Sequence, residues 1–171
     1  MKTKSAYIIK FSGLSIGTHP FTYEIDKSFL DLYSLEDVND LNINIDIDLE
    51  KHSTFLKLTF KINGNTELIC DRCTEWYWQP VSNEQYLIVK FGNEQDDFSD
   101  DMIVLPYNEV QIDIAHFIYE FISLAIPLKR VHPEGECNQE MLEKIKNLSV
   151  SEEDKSIDPR WKALNNIELK N

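Results

Sequence analysis

Residues 41–49 read LNINIDIDL, a strict alternation of apolar residues with Asn or Asp. A period of two is typical of a β-strand that has one dry face and one wet face. A shift of pairing by one residue would turn the four Asn and Asp side chains toward the core, so the register of this strand is strongly defined.

Further strands are predicted on the C-terminal side of this stretch. Residues 54–62 repeat the alternation, and Asn63-Gly64-Asn65 then predicts a hairpin turn, because both residue types tolerate positive φ. A third strand covers residues 66–70, and residues 76–91 form another, in which Pro80 indicates a sheet edge or a break. Sequential strands joined by short turns predict an antiparallel meander, curled or barrel-like.

Two helices are predicted after the strands. Apolar residues at three- and four-residue spacing indicate a main helix at about 113–126, capped by Asp113 and ended by Pro127. Asn138 is placed to cap a shorter helix that reaches Leu148. The fold class is therefore α+β, a mostly antiparallel sheet packed by one main helix.

The domain organisation follows from composition along the chain. Residues 1–148 are predicted to form a single α+β domain, and residues 149–171 a charged linker with a short C-terminal helix. The formal net charge of −13 disfavours simple binding to a phosphate backbone. No apolar run approaches the ~18 residues of a membrane span, and a cytoplasmic protein without a targeting peptide is expected.

The cysteines suggest a metal site. Cys70 and Cys73 have the C-x-x-C spacing with which two thiolates hold one zinc ion, and His132 and Cys137 offer two further ligands after the main helix. Together they would make a structural Zn²⁺ site of the Cys₃His type. The alternatives are two partly buried thiols with an unrelated third, or, less favoured, a redox pair, because redox C-x-x-C motifs open a helix.

Aromatic and basic residues around the C-x-x-C motif are candidates for contact with a partner or with RNA. Trp76 and Trp78 share one face of the predicted strand, which also suits core packing. The candidate contact residues are Arg72, Trp76, Trp78, Lys57, Lys61, Lys129 and Arg130. No nucleophile, phosphate-loop or metalloprotease motif is present, so no catalytic residue is assigned and an enzyme is not expected.

In combination, several motifs resemble the YceD family of large ribosomal RNA subunit accumulation proteins. The matching segments are residues 69–75 (ICDRCTE), residues 124–128 (LAIPL) and residues 158–164 (DPRWKAL), with His132 and Cys137 between the last two. The resemblance covers roughly residue 41 to the end of the chain.

The resemblance implies a bacterial cytoplasmic protein that is needed for accumulation of the large-subunit (23S) ribosomal RNA. Its partners would be ribosome-assembly proteins or large-subunit precursors. Two hypotheses follow: a non-enzymatic assembly factor acting through protein partners, or a direct RNA-binding protein with a local basic patch. A small zinc-stabilised interaction module of other function is the remaining alternative, and the oligomeric state is left open.

Overall fold

A computed structural model describes residues 4–92 and 102–149 of the chain. The strands are β1 (Ile8–Lys10), β2 (Gly17–Ile25), β3 (Val38–Lys51), β4 (Phe55–Ile69), β5 (Trp76–Phe91), β6 (Met102–Leu105) and β7 (Gln111–Asp113). The helices are α1 (Ala115–Ala125) and α2 (Gln139–Leu148). Neither is long and apolar enough to span a membrane, and no other described segment forms such a helix.

Five strands form the main sheet, in the order β2-β3-β4-β5-β6. The pairs from β2 to β5 are antiparallel, whereas β6 runs parallel to the end of β5. Strands β1 and β7 pair with each other in a separate two-stranded sheet. The predicted α+β class and antiparallel sheet are confirmed. The described strands do not close into a barrel. The second predicted helix, α2, has 10 residues against 11 in α1, so a single main helix is not confirmed.

The dry faces of β3 and β4 form the centre of the core. Ile45 pairs with Ile62 and Ile47 with Phe60, and all four side chains are almost completely buried. Helix α1 lies over this face, where the ring of Phe121 meets that of Phe60 edge-on at 5.0 Å between centroids. Since full burial of one such side chain contributes about 1.5–3 kcal/mol, the alternation in residues 41–49 determines which face α1 covers.

The predicted hairpin turn at Asn63-Gly64-Asn65 is wrong. These residues lie inside β4, which continues without interruption from Phe55 to Ile69. A Cβ atom on Gly64 would lie 2.2 Å from the carbonyl oxygen of Asn42, in the neighbouring strand β3. The glycine therefore lets two backbones approach closely, which is the other common reason for a glycine in a strand.

Pro80 lies within β5 without breaking it. Pro80 pairs with Asn65 of β4. On the other side of β5, strand β6 pairs only with residues 88–91. In the described part of the chain, no strand occupies the outer side of β5 at Pro80, and such an edge position is where a strand tolerates proline. The prediction of an edge position is confirmed, and that of a break is wrong.

The helix ends match the sequence closely but differ in one cap. Ile114 occupies the N-cap position of α1, and Asp113 ends β7, although its Oδ1 still accepts a hydrogen bond from the Ala115 N–H at 2.9 Å. Asn138 caps α2 as predicted, since its side chain accepts from the N–H of Met141. The predicted linker and helix in residues 149–171 lie outside the described residues apart from Ser149.

Gly64→Ala tests the close approach of β3 and β4. We expect it to lower the free energy of unfolding by about 1–3 kcal/mol or more, because the new methyl group would collide with backbone rather than with a movable side chain. Denaturant unfolding at fixed metal content measures this. Gly13→Ala is the matched control, since a Cβ there meets no atom within 4 Å. Equal effects of the two substitutions would contradict the interpretation.

Candidate metal centre

A tight turn between β4 and β5 carries the C-x-x-C motif. The N–H of Cys70 donates to the Glu75 carbonyl at 2.9 Å, and the N–H of Thr74 donates to the Cys70 carbonyl at 2.9 Å. Thr74 has φ of 60°, a left-handed conformation that is unusual for a β-branched residue. Strain of this kind persists where the surrounding structure imposes it, and it often marks a functional site.

The loop that follows α1 is fastened to this turn by reciprocal hydrogen bonds. The N–H of Asp71 donates to the Arg130 carbonyl at 2.7 Å, and the N–H of Arg130 donates to Asp71 Oδ2 at 2.8 Å. The Arg130 guanidinium then reaches Asp71 Oδ1 at 3.2 Å and Asp37 Oδ2 at 2.8 Å. These contacts bring His132 and Cys137 to the C-x-x-C turn.

The four predicted ligands converge on one point. The Cys70 and Cys137 Sγ atoms are 3.8 Å apart, and His132 Nδ1 lies 3.4 Å from Cys73 Sγ and 3.8 Å from Cys137 Sγ. All four ligand atoms lie within 4.8 Å of one another. A tetrahedral ion with metal–sulfur bonds of about 2.3 Å places its sulfur ligands about 3.8 Å apart, so these spacings suit a tetrahedral ion.

The cluster is buried in a second, smaller apolar core. All three thiols are at most 5% exposed, and Leu68 and Tyr77 pack with them. The Tyr77 ring lies against the His132 imidazole, with centroids 4.7 Å apart. Met141 and Leu142 of α2 contact the same cluster, so α2 encloses it from the C-terminal side.

Local hydrogen bonds favour a thiolate at Cys70. Burial acts to raise the pKa of this thiol, but hydrogen bonds from the backbone N–H groups of Cys73 and Arg72 and from His132 outweigh burial and lower the pKa to about 6. Burial raises the pKa of Cys137, and the neighbouring sulfurs of Cys70 and Cys73 raise it further. An ion bound at the centre would offset the mutual repulsion of the sulfurs, because metal ligation deprotonates cysteine.

The predicted basic residues are separated in the structure. Lys57 and Ile69 are 12 positions apart on β4, roughly 40 Å along the strand. Lys57 and Lys61 pair with Glu50 and Asp48, at 3.7 and 3.0 Å. At the end near the metal centre, Arg130 is engaged by two carboxylates, whereas Arg72 and Lys129 are exposed. No single basic patch unites the predicted cations.

The two tryptophans lie on the outer face of β5. Trp76 is 47% exposed and Trp78 50% exposed, while Tyr77 between them points inward. The core-packing alternative for these tryptophans is therefore wrong, and their contact with a partner stays a prediction. The alternation of side chains along a strand predicts that the two tryptophans share one face of β5. It does not predict whether that face meets the core or the solvent.

Sequence reasoning missed two features of this region. The Asp71–Arg130–Asp37 network joins segments far apart in sequence, and no short motif indicates it. Asp40 and Glu67 lie opposite each other on the outer face of β3 and β4. The predicted hairpin at Asn63-Gly64-Asn65 placed Lys61 and Glu67 on different strands. In the structure both lie on β4 and point to the same face.

The described chain is thus an α+β protein in which three buried cysteines and one half-buried histidine form a cluster that could hold a metal ion. The model of the family described as "Large ribosomal RNA subunit accumulation protein YceD" matches residues 58–168, well over half of the chain, and the chain belongs to that family. The matched segment contains all four candidate ligands. No curated protein and no solved structure matches the chain.

The lowered pKa of Cys70 can be measured by ultraviolet absorbance of the thiolate in reduced, metal-free protein. Because the thiolate is the deprotonated form, absorbance should rise in a first step as pH increases through about 6. Cys70→Ser should remove that step, and Cys137→Ser should retain one. A single rise near the ordinary pKa of cysteine in the parent protein would contradict the assignment.

Proposed function

We propose that this chain is a non-enzymatic factor of the bacterial cytoplasm that supports accumulation of the 23S ribosomal RNA during assembly of the large ribosomal subunit. Membership of the YceD family carries this proposal, because the family's name states involvement in large-subunit ribosomal RNA accumulation. The factor acts through protein partners among assembly proteins or large-subunit precursors.

A structural zinc ion is part of the proposal. Three thiolates and an imidazole are a ligand set that zinc prefers, and the four side chains supply the number of ligands that a structural zinc site requires. A site filled by four protein ligands leaves no position for a substrate or a reactive water, which favours a structural role over a catalytic one. When bound, the ion supplies a cross-link between the β4–β5 turn and the loop after α1.

The charges favour protein partners over direct RNA binding. The chain carries a net charge of −13, and phosphate contacts need cations that can release counterions. Lys57, Lys61 and Arg130 are already paired with carboxylates. Among the candidate cations, a direct RNA contact would have to break these pairs or use Arg72 and Lys129, which are exposed.

Metal analysis tests the zinc site. Protein purified without chelator should contain about one zinc per chain, and His132→Ala should weaken zinc binding by at least about 100-fold, since even loss of a contact that only supports a ligand costs roughly 10–100-fold. The substitution should also lower the midpoint of denaturant unfolding. His52→Ala is the matched control, because His52 is exposed and outside the cluster. A zinc content near zero, with Cys70→Ser as stable as the parent, would exclude the site.

A deletion strain tests the function. Loss of the gene should lower the ratio of large- to small-subunit ribosomal RNA and reduce the large-subunit peak in sucrose gradients. The parent chain and His52→Ala should restore both, and His132→Ala should restore them poorly. Unchanged RNA ratios and subunit profiles in the deletion strain would refute the proposal and leave a zinc-stabilised interaction module of other function.

A further inference from the structure

We propose that the outer face of the sheet next to the metal centre docks an arginine-rich protein segment. Four residues, Asp40, Glu67, Trp76 and Trp78, define this surface, which we call the tryptophan–carboxylate face. The inference rests on the proposed function, in that it gives the chemistry of the protein partner that the assembly factor contacts.

Strand register places these four side chains on one face. Asp40 of β3 pairs with Glu67 of β4, and Glu67 pairs with Trp78 of β5, so the three residues form one row across the sheet. Trp76 occupies the next outward position of β5, opposite Ile69. Neighbouring strands lie about 4.8 Å apart, and outward positions on one strand about 7 Å apart, so the face spans roughly 10 by 7 Å.

These groups are available to a ligand. Each tryptophan is about half exposed, and neither makes a ring contact with another described residue. Glu67 accepts a hydrogen bond from Asn39, and Asp40 accepts one from the N–H of Leu41. Within residues 4–92 and 102–149, neither carboxylate lies within salt-bridge distance of a Lys or Arg.

The Asp40–Glu67 pair has a cost that a cationic ligand would remove. Like charges directly opposite each other in an antiparallel pair destabilise the sheet. Elsewhere on the same face, Asp48 and Glu50 are neutralised by Lys61 and Lys57. The pair beside the tryptophans has no such lysine, so this end of the sheet keeps both the negative charge and the aromatic surface for an external cation.

The arrangement favours arginine. A guanidinium group stacks on an indole ring and pairs with a carboxylate in a bidentate geometry at the same time, whereas an ammonium is a point charge. RNA phosphates would meet Asp40 and Glu67 with like charge. A second copy of the chain would bring the same acidic row, at a net charge of −13, against itself.

The segment is expected to lie on the face, along β5, and not to extend the sheet. Pro80 follows Trp78 at the next outward position of β5 and has no N–H with which to pair an added strand. The spacing of about 7 Å between Trp76 and Trp78 equals that of alternate residues in an extended peptide. Arginines at every second position therefore match the two rings.

Binding of labelled ten-residue peptides to the zinc-loaded full chain tests the proposal by fluorescence anisotropy at low and moderate salt. A peptide of alternating arginine and valine should bind more tightly than its lysine counterpart. Trp78→Ala should weaken the arginine peptide about 2- to 30-fold and remove the preference over lysine. Glu67→Gln should weaken it about 2- to 5-fold, whereas Glu84→Gln, an equal change of charge further along the same face, should leave it unchanged.

Several results would overturn the proposal. Absence of arginine-peptide binding at low salt, or equal losses in Glu67→Gln and Glu84→Gln, would leave no specific site. Tighter binding of a ribosomal RNA hairpin that Trp78→Ala abolishes would assign the face to RNA, and self-association abolished by Trp78→Ala would assign it to a second copy. A deletion strain with normal ribosomal RNA would refute the proposed function without affecting peptide binding, so the two failures are distinguishable.

Discussion

The apolar face of β3 and β4 has to be covered, and this requirement positions both helix α1 and the candidate metal ligand Cys70. Along β4 every even-numbered position from Leu56 to Leu68 points to the dry side. Cys70 continues the same parity just beyond the strand and is buried in the smaller apolar core. The sheet therefore delivers one thiol to a dry environment before any loop contributes a ligand. Helix α1 packs on the same face, and the loop after α1 returns to the β4–β5 turn that carries Cys70.

The candidate metal centre is also held together by contacts between residues outside the ligand set. Asp71 stands between the two cysteines of the turn and binds the backbone and guanidinium of Arg130. Arg130 in turn precedes His132 by two residues, so the ligand pairs are aligned by contacts between residues that do not ligate. Such supporting contacts orient ligands before an ion binds, which lowers the ordering cost of binding.

Much of the fold was predictable because its signals are local. The alternation in residues 41–49, the spacing of the α1 stripe and the Asn138 cap each act over a few residues, and the ligand set followed from the chemistry of Cys and His. Gly64 was misinterpreted because a glycine in a turn and a glycine that faces a closely approaching neighbouring strand look alike in one sequence. The direction of Trp76 and Trp78 and the Asp40–Glu67 row depend on pairing across strands, which local patterns do not encode.

The order in which the chain is made has a consequence for the metal centre. Cys70 precedes Cys137 by 67 residues, so during synthesis the turn and its two thiols emerge well before the second ligand pair exists. An ion captured early would have only two protein ligands and would exchange readily with the surroundings. Full coordination becomes possible only after α1 and the following loop have left the ribosome. In the proposed site, stable retention of an ion would therefore require the second ligand pair, and a chain that ends before Cys137 would lose its ion.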